Sequence, residues 1–385
     1  MSKSNETTPN VPTLRFPNYS SEWQVSPMGK VCTFRKGYGI SKENLSSDGT
    51  PCILYGELYT TYKTAIAKNI KSKTSLDPTI LFHSKKNDVI IPCSGETAED
   101  IATSVCIPYD DILLGGDLTV IRSDLDGAFL SNQINSVRKY DIARIAQGKS
   151  IVHLQADELK KISIAYPTID EQQKISGFID KIDERIEVQN KIISKYETLI
   201  KGIRERIVNC GWQWKKLDEL IQEGIVRLNR GNIIPKHQKD NAYKYPVYSS
   251  STQNNGLMGY NDTYMFDKEL ITWSIDGGGN FFYRKKHKFN VTNVCGILQV
   301  DENVYSYRFI AEMLTYQHSK MKFDYQSKAH PSVISSLYSL PCLPISEQNS
   351  YCRLFIALDK KMQIEQCCLN KLKEQKKYLL SKMFI

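Results

Sequence analysis

The sequence lacks the features that mark membrane and exported proteins. It contains no uninterrupted apolar run of about 18 residues, the length that a membrane-spanning helix needs. Its first ten residues, Met-Ser-Lys-Ser-Asn-Glu-Thr-Thr-Pro-Asn, are polar and include no apolar stretch of the kind found in secretory signals. A cytoplasmic protein is therefore expected.

Patterns that hold metals, disulfides or nucleotides are also missing. The ten cysteines form no Cys-x-x-Cys, and the six histidines form no His-x-x-x-His or mixed cluster. Zinc needs four converging nitrogen or sulfur ligands, so no metal site is predicted. In a reducing compartment the cysteines are expected to be free thiols. No Gly-x-x-x-x-Gly-Lys-Ser/Thr loop for ATP phosphates occurs either.

The length and composition of the chain suffice for two packed domains. The chain has 385 residues, of which 41% are hydrophobic and 24% charged, close to the globular average. Its net charge is +9, and residues 210–345 and 346–385 each carry an excess of four basic groups. This modest excess is compatible with a nucleic-acid partner, and it predicts that any polyanion site is a local patch.

The most informative feature is an internal repeat with an offset of 176 residues. Pro-Thr-Ile-Asp-Glu-Gln ends at Gln172, and Leu-Pro-Ile-Ser-Glu-Gln ends at Gln348. Apolar residues spaced by threes and fours follow each motif, which is the pattern of a helical seam. The predicted seam comprises Ile182, Ile186, Ile193, Tyr196 and Ile203 in the first copy and Leu358, Met362, Leu369, Leu372 and Leu379 in the second. One position breaks the pattern, since Lys376 stands where the first copy has Ile200.

The repeat predicts two long helices. The first runs from about Ile169 to Asn209, with Gly211 as its stop, and would be about 60 Å long at 1.5 Å per residue. Neither seam is stable alone, and the economical partner is the other copy, antiparallel if a two-fold axis relates them. The globular stretches upstream correspond more loosely: Trp23 opens one and Trp212 the other, and 35–40 matches 229–234 in character. A further helix is predicted over 308–317.

Together these features resemble the specificity subunit of type I restriction-modification enzymes. The resemblance is carried by the Val-Pro-Thr-Leu-Arg-Phe-Pro leader (11–17), the tryptophan-headed stretches, the two Pro…Glu-Gln helix openings and the Tyr-rich run at 245–260. It covers nearly the whole chain, and the order domain, helix, domain, helix is its most specific feature.

The resemblance implies an α+β fold, with two pseudo-symmetric α/β target-recognition domains joined by a pair of long antiparallel helices as a coiled coil. The implied boundaries are an N-terminal leader at 1–19, target-recognition domain 1 at 20–166, a central spacer helix at 167–210, target-recognition domain 2 at 211–344 and a C-terminal spacer helix at 345–385.

The resemblance also implies function and partners. In that family each target domain reads one half of a bipartite site in double-stranded DNA, and the helices set the gap and dock two methyltransferase subunits. Motor endonuclease subunits join through the methyltransferases. Catalysis, S-adenosylmethionine, ATP and Mg²⁺ are therefore expected on the partner subunits, and no cofactor is expected on this chain. The Asn-Pro-Pro-Tyr or Asp-Pro-Pro-Phe motif of amino-methyltransferases is absent from the sequence.

DNA-contacting residues are predicted from charge, hydroxyls and amides. Residues 281–289 place four Lys/Arg within five positions between aromatics and predict a basic hairpin tip, and the run at 248–255 offers serines and amides suited to base edges. In the first half the candidates are Lys36, Tyr55, Tyr59, Lys63, Lys149 and Ser150, with lysines 68, 71 and 73 beside them. In the second half they are Arg230, Ser249, Ser250, Ser251, Gln253, Asn254, Arg284, Lys285, Lys286, Lys288 and Lys328.

Two other interpretations stay open. One is a stand-alone DNA-modifying enzyme with a divergent site, and Glu374-Gln375-Lys376 has the Glu-x-Lys spacing of many nucleases, although it lies on the seam helix. The other is a coiled-coil scaffold whose globular ends bind proteins. Because DNA presents the same face about every 34–36 Å, heads held by helices near 60 Å predict two short sequence blocks separated by unspecified base pairs.

Overall fold

The computed structural model describes residues 10–148, 151–234, 244–251, 253–276, 278–321 and 328–385. Its contacts divide the chain into two compact units. Unit 1 takes in the chain as far as Asn190 together with Cys367–Ile385, and unit 2 is Lys191–Gln366. Each unit therefore contains one globular stretch and a segment of each long helix, α7 (Ile169–Asn209) and α11 (Ile345–Met383).

Unit 1 is built around a small antiparallel sheet with both faces covered. Its strands are β1 (Gln24–Pro27), β2 (Cys32–Lys36), β3 (Leu45–Ser46), β4 (Thr50–Ile53), β5 (Ser72–Thr74), β6 (Val89–Pro92), β7 (Ser94–Gly95), β8 (Val105–Cys106), β9 (Leu113–Leu114), β10 (Leu118–Ser123), β11 (Val152–His153) and β12 (Ser163–Tyr166). The central sheet has the order β2-β10-β6-β8. Along β6, Val89 and Ile91 enter one apolar cluster and Ile90 enters another, as the two-residue period of a strand requires.

Short helices surround this sheet. They are α1 (Met28–Val31), α2 (Glu57–Thr60), α3 (Ala98–Ile101), α4 (Gly127–Asn135), α5 (Lys139–Ile145) and α6 (Ala156–Leu159). The longest of them, α4, begins at Asp126, whose carboxylate accepts a hydrogen bond from the Phe129 amide. Almost every residue of α4 is buried, so this helix closes one face of the sheet.

Unit 2 has a larger sheet. Its strands are β13 (Trp214–Lys216), β14 (Val226–Arg230), β15 (Tyr245–Tyr248), β16 (Leu257–Asn261), β17 (Phe266–Ser274), β18 (Phe281–Val291), β19 (Cys295–Val300) and β20 (Ser339–Pro341), and its short helices are α8 (Leu217–Gln222), α9 (Tyr307–Lys320) and α10 (Pro331–Leu337). The main sheet has the order β14-β19-β17-β18-β15-β16. The helix expected at 308–317 is confirmed as α9.

The two units repeat one topology, which confirms the pseudo-symmetric fold. The order β2-β10-β6-β8 in unit 1 matches β14-β19-β17-β18 in unit 2, and the pair β1-β12 matches β13-β20. Lys36 pairs with Thr119 and Arg230 with Gly296 at equivalent ladder positions. Unit 2 extends the sheet beyond this shared part with β15 and β16.

Equivalent glycines follow the first strand of each main sheet. A Cβ atom on Gly37 would lie 2.3 Å from the Gly115 carbonyl oxygen, and one on Gly231 would lie 2.2 Å from the Val291 carbonyl oxygen. No side chain fits either contact, because two backbone segments touch there. This close approach explains why glycine occurs in both of the matched segments 35–40 and 229–234.

The Glu-Gln motif that carries the repeat anchors each long helix to its globular domain. In unit 1 the Gln172 side chain accepts a hydrogen bond from the Asp126 amide at 2.9 Å and donates one to the Pro167 carbonyl at 2.8 Å. In unit 2 the Gln348 side chain accepts one from the Ser306 amide at 3.0 Å and donates to the Leu343 carbonyl at 2.9 Å.

Both glutamines are buried, 2% and 0% exposed, and their partners also correspond. Asp126 precedes α4 and Ser306 precedes α9, each as the residue that begins the helix. One glutamine side chain in each unit therefore joins the start of a long helix to the start of a domain helix.

The long helices pack antiparallel within each unit. In unit 1, Asp183 on α7 contacts Lys376 on α11, whereas Gln189 shares a groove with Cys368 and Leu372. Residue numbers therefore rise along α7 in the direction in which they fall along α11. In unit 2, residues from Ile200 to Ile207 share an apolar cluster with the early part of α11 around Leu358.

The predicted seam faces inward throughout the described helices. Ile182, Leu358, Leu369 and Leu379 are buried, and Ile186, Ile193, Tyr196, Ile203, Met362 and Leu372 are partly buried. The helix prediction for 169–209 is confirmed to the residue, and Gly211 beyond it has φ +76°, as expected of the stop.

The break in the seam is filled by an ion pair. Lys376 donates from Nζ to both carboxylate oxygens of Asp183 at 2.6 and 2.8 Å, and the Asp183 side chain is 8% exposed. Burial raises the pKa of the Asp183 carboxyl, and the Lys376 charge opposes that rise. The residue that looked like a defect in the sequence is therefore the partner of a buried carboxylate.

In the described ranges no group of three or more His, Cys, Asp or Glu side chains is placed to hold a metal ion. All ten cysteines are free. Of the helices that the structure describes, none combines the length and apolar character required to cross a bilayer.

Candidate nucleic-acid interface

The basic segment of unit 2 is the middle of a strand, so the prediction of a hairpin tip is wrong. Residues 284–288 lie within β18, and the pairing with β17 shifts because Leu270 pairs with Arg284 while Lys268 pairs with His287. Two residues of β18, Lys285 and Lys286, therefore oppose a single residue of β17, which is a β-bulge. Charge alone does not distinguish a strand from a turn, and the bulge depends on the register of two strands, which the charge pattern does not contain.

The bulge separates the basic side chains. Lys285, Lys286 and Lys288 are exposed, whereas Arg284 is buried with 4% exposure. Lys288 Nζ lies 4.6 Å from the ring centre of Tyr264. The exposed face of β18 therefore presents three ammonium groups, one of them held over an aromatic ring.

Arg284 points into unit 2 instead of outward. Its guanidinium stacks on Tyr248, with the carbon atom 3.6 Å from the ring centre, and its Nε donates to Thr272 Oγ1 at 2.9 Å. Burial lowers the pKa of Arg284 to about 10. The prediction that Arg284 belongs to an exposed basic tip is thus corrected: its side chain is part of the interior.

The described residues of the polar run after β15, 249–251 and 253–256, belong to a turn that packs against that arginine. The Ser249 amide donates to the Gly256 carbonyl at 2.7 Å, and the Ser250 carbonyl accepts from the Ser274 hydroxyl at 2.6 Å. Gln253 and Asn254 are exposed, and Asn254 has φ +47°, a left-handed conformation that asparagine tolerates. Ser251, also exposed, accepts the Gln253 amide on its hydroxyl oxygen at 3.2 Å.

Two more candidates of unit 2 have contacts within the protein. Arg230, exposed at the end of β14, donates to the Asn293 carbonyl at 3.1 Å. Lys328 approaches Asp276 at 3.4 Å, two residues beyond the Ser274 that bonds the turn. The structure thus gathers most of the candidates of unit 2 around the turn and the bulged strand, although Arg230 and Lys328 already have protein partners.

In unit 1 the structure brings three candidates together. Tyr55, Tyr59 and Lys63 lie on and beside the short helix α2, where Lys63 Nζ donates to the Tyr59 carbonyl at 2.8 Å. Burial raises the pKa of Tyr59. Lys36 is exposed at the end of β2, near Cys93.

Other candidates of unit 1 are not available or not described. Lys68 bridges Asp180 at 2.7 Å and Glu184 at 2.8 Å on α7, so it fixes a loop to the helix and is not a free cation. Lys149 and Ser150 lie outside the described residues. Sequence reasoning missed Tyr264, whose contact with Lys288 depends on the pairing of distant strands.

The geometry defines a chain with two matching α/β domains, each joined to paired helices. The model of the type I restriction modification DNA specificity domain matches this chain twice, over residues 20–198 and 209–374. The chain therefore belongs to the family of type I restriction-modification specificity subunits and carries two target-recognition domains. This family is non-catalytic.

Known relatives share parts of the chain. A provisionally named type I specificity subunit of Mycoplasma pneumoniae is 40% identical over 100 residues, which are 25% of this chain and 32% of that protein. The type I restriction enzyme MpnII specificity subunit of the same organism is 30% identical over 128 residues, 32% of this chain and 39% of the relative. The match thus spans about a third of the length of these relatives.

Solved structures share the fold over nearly the whole chain. The S subunit of a type I restriction-modification system from M. genitalium has a TM-score of 0.67 at 18% identity, with 97% of this chain and 99% of that chain covered. A chain from a study of complex assembly in a type I restriction-modification system has a TM-score of 0.55 at 14% identity, covering 94% and 97%.

Proposed function

We propose that this chain is the DNA-reading subunit of a type I restriction-modification complex, with one target-recognition domain for each half of a bipartite site. The observation that carries the proposal is the repetition of one domain topology, joined each time to a long helix through the same buried glutamine. Equal domains on one chain are suited to two separate sequence blocks. The loops and added strands in which the domains differ would make the two blocks different.

The chemistry of unit 2 supports contact with a duplex. Exposed lysines on the bulged strand suit phosphates, and the exposed serine and amide side chains of the neighbouring turn suit base edges. Lys36 and Lys63 with Tyr55 and Tyr59 are the corresponding proposal for unit 1. Location in the cytoplasm, and S-adenosylmethionine, ATP and Mg²⁺ on the partner subunits, remain part of the proposal.

The helices support docking of two copies of one methyltransferase partner, through which endonuclease subunits would join. Phe178 and Val188 on α7 are 36% and 54% exposed, and the residues 176 positions later on α11, Leu354 and Ile364, are 43% and 66% exposed. Exposed apolar side chains thus recur at equivalent positions of the repeat. Such side chains favour protein contacts, and their repetition favours two equal contacts.

The DNA-reading role is tested by mapping modified adenines in a host that expresses this chain with a methyltransferase subunit. We expect one motif of two short, unlike blocks separated by unspecified base pairs. Replacing residues 212–343 by the same segment of a relative should change one block and leave the other. An uninterrupted palindrome, or a change in both blocks, would contradict one domain per half-site. Adenine methylation by the purified chain alone would favour a stand-alone enzyme.

The docking role predicts a stepwise loss of partner. Val188→Glu should remove one methyltransferase subunit from the complex and Ile364→Glu the other, because each charge must be buried at the contact. Each loss is expected to cost about 2–4 kcal/mol, the usual range for central interface residues. Native mass spectrometry counts the subunits. Glu197→Gln, at an exposed position of the same helix, is the control, and loss of both subunits from either single variant would refute two independent sites.

A further inference from the structure

Arg284 carries a buried positive charge that has no counter-ion among the residues that the structure describes. Its side chain is 4% exposed, and its Nη2 atom has no hydrogen-bond partner among the described residues. No carboxylate is among the groups that act on its charge. The Thr272 hydroxyl and the Tyr248 ring are neutral partners, so the charge is solvated only in part by the protein.

Other inward-facing arginines of the chain are paired. Arg15 forms two hydrogen bonds of 2.7 Å with Glu171, and Arg122 forms two of the same length with Asp88. A buried cation without such a partner disfavours folding, because its neutral contacts to Thr272, Tyr248 and Phe282 replace only part of the hydration that it loses. Although burial lowers the pKa of Arg284 to about 10, the group stays charged at neutral pH. An unpaired buried charge therefore indicates a role in binding a ligand and not in stabilising the fold.

The polar turn covers this charge directly. A Cβ atom on Gly256 would lie 3.3 Å from Arg284 Nη2, 2.9 Å from the Ser249 carbonyl and 3.2 Å from the Ser251 carbonyl. Only glycine allows the backbone to pass so close to the guanidinium, and Gly256 has φ +78° as well. The backbone of the turn at Gly256 therefore packs directly against the guanidinium.

We propose that Arg284 and the turn above it, formed by Ser249, Ser251 and Gly256, are a binding site for a phosphate of the DNA backbone. This inference rests on the proposed DNA-reading function. The exposed Ser251 hydroxyl is available to the phosphate on the outer face, and Arg284 is a positioning residue whose charge acts through the turn. A phosphate is favoured over a base, because the covered Nη2 atom offers charge but no exposed pair of donors for a guanine edge.

The test compares Arg284→Met with Arg284→Lys in the full chain assembled with its methyltransferase subunits. Affinity for the cognate duplex and for single-mismatch duplexes is measured between 50 and 200 mM salt. We expect Arg284→Met to bind every duplex about five- to tenfold more weakly and to lower the slope of log affinity against log salt by up to about one, the value for a directly contacted phosphate, because the charge of Arg284 acts on the phosphate through the turn. Arg284→Lys, which keeps the charge, should retain the slope. Lys286→Ala, an exposed lysine of the same strand, gives the size of an ordinary phosphate contact.

Each outcome either supports or overturns the phosphate site. An unchanged salt slope in Arg284→Met would overturn the phosphate site, even if affinity fell because the turn had moved. A loss confined to one base pair would instead show that Arg284 reads a base. If Arg284→Met does not fold, Arg284→Gln replaces it, since the amide can still donate to Thr272. A wild-type complex that binds no duplex in a sequence-specific way would refute the proposed function, whereas specific binding with an unchanged slope would refute only this inference.

Discussion

Lys376→Ile is expected to lower the free energy of unfolding by about 3–5 kcal/mol at pH 7, although it restores the apolar pattern of the helical seam. The reason is that Asp183, 8% exposed, loses the only cation that bonds it within the described residues and becomes an unpaired buried charge. Urea denaturation measures the loss. Lys377→Ile, at the exposed neighbouring position, should change stability by less than about 0.5 kcal/mol.

A double variant distinguishes the loss of the ion pair from a packing defect at position 376. Lys376→Ile combined with Asp183→Leu removes both charges, and we expect it to be as stable as the wild type or more stable by about 1–4 kcal/mol. If the double variant is as unstable as Lys376→Ile, the defect lies in packing at the seam and not in the stranded carboxylate.

The stability of the single variant Lys376→Ile should depend on pH in a defined direction. The pKa of Asp183 is raised in the folded chain, so the folded state binds its proton more tightly than the unfolded state. Such a group favours folding at low pH, and this contribution is lost as pH rises from the ordinary carboxyl range through the raised pKa. Without Lys376 the pKa rises further. The destabilisation of Lys376→Ile should therefore shrink as pH falls from 7 towards 5, and a deficit that stays constant over this range would contradict the further rise in the pKa of Asp183.

Gln348→Leu is expected to cost about 3 kcal/mol of unfolding free energy, since it leaves buried backbone groups without partners at about 1–3 kcal/mol each. The Ser306 amide and the Val304 and Leu343 carbonyls all bond this one side chain. Gln172→Leu should have a similar effect in unit 1. Denaturant unfolding of each variant, with exposed Asn349→Ala as the control, checks both values.

A glutamate at the same position makes the test more specific. Gln348→Glu keeps an acceptor for the Ser306 amide but places a carboxylate against two carbonyl oxygens. We expect it to be at least as damaging as leucine at pH 7. If Gln348→Leu costs less than about 0.5 kcal/mol, the glutamine does not hold the helix to the domain.

Much of the architecture followed from the sequence, because a helical period sustained over forty residues and repeated at one offset is a strong signal. The helix from Ile169 to Asn209 and the burial of the seam were found in this way. The role of Lys376 was not, since its partner lies 193 positions away and only packing shows that both are buried.

The candidate interface was less predictable. Four Lys/Arg within five positions suggested a hairpin tip, but strand pairing and one bulge turned Arg284 inward and left the three lysines outside. Lys68 looked equally free in the sequence, although it pairs with two acidic side chains on α7. Charge patterns predict that a segment is polar, and the side to which each residue points depends on partners that the pattern does not contain.

Gln172 and Gln348, which join each long helix to its domain, also bear on how one domain could be exchanged without the other. Gln172 and Gln348 make equivalent contacts to the residues that precede α4 and α9, and these residues lie outside β15 and β16, the strands that extend the sheet of unit 2. Recombination with crossover points close to these glutamines would exchange an entire target-recognition domain and preserve its contacts to the long helix. If each domain reads one half-site, as proposed, one such exchange would change one block of the recognised sequence and leave both helix contacts as they were.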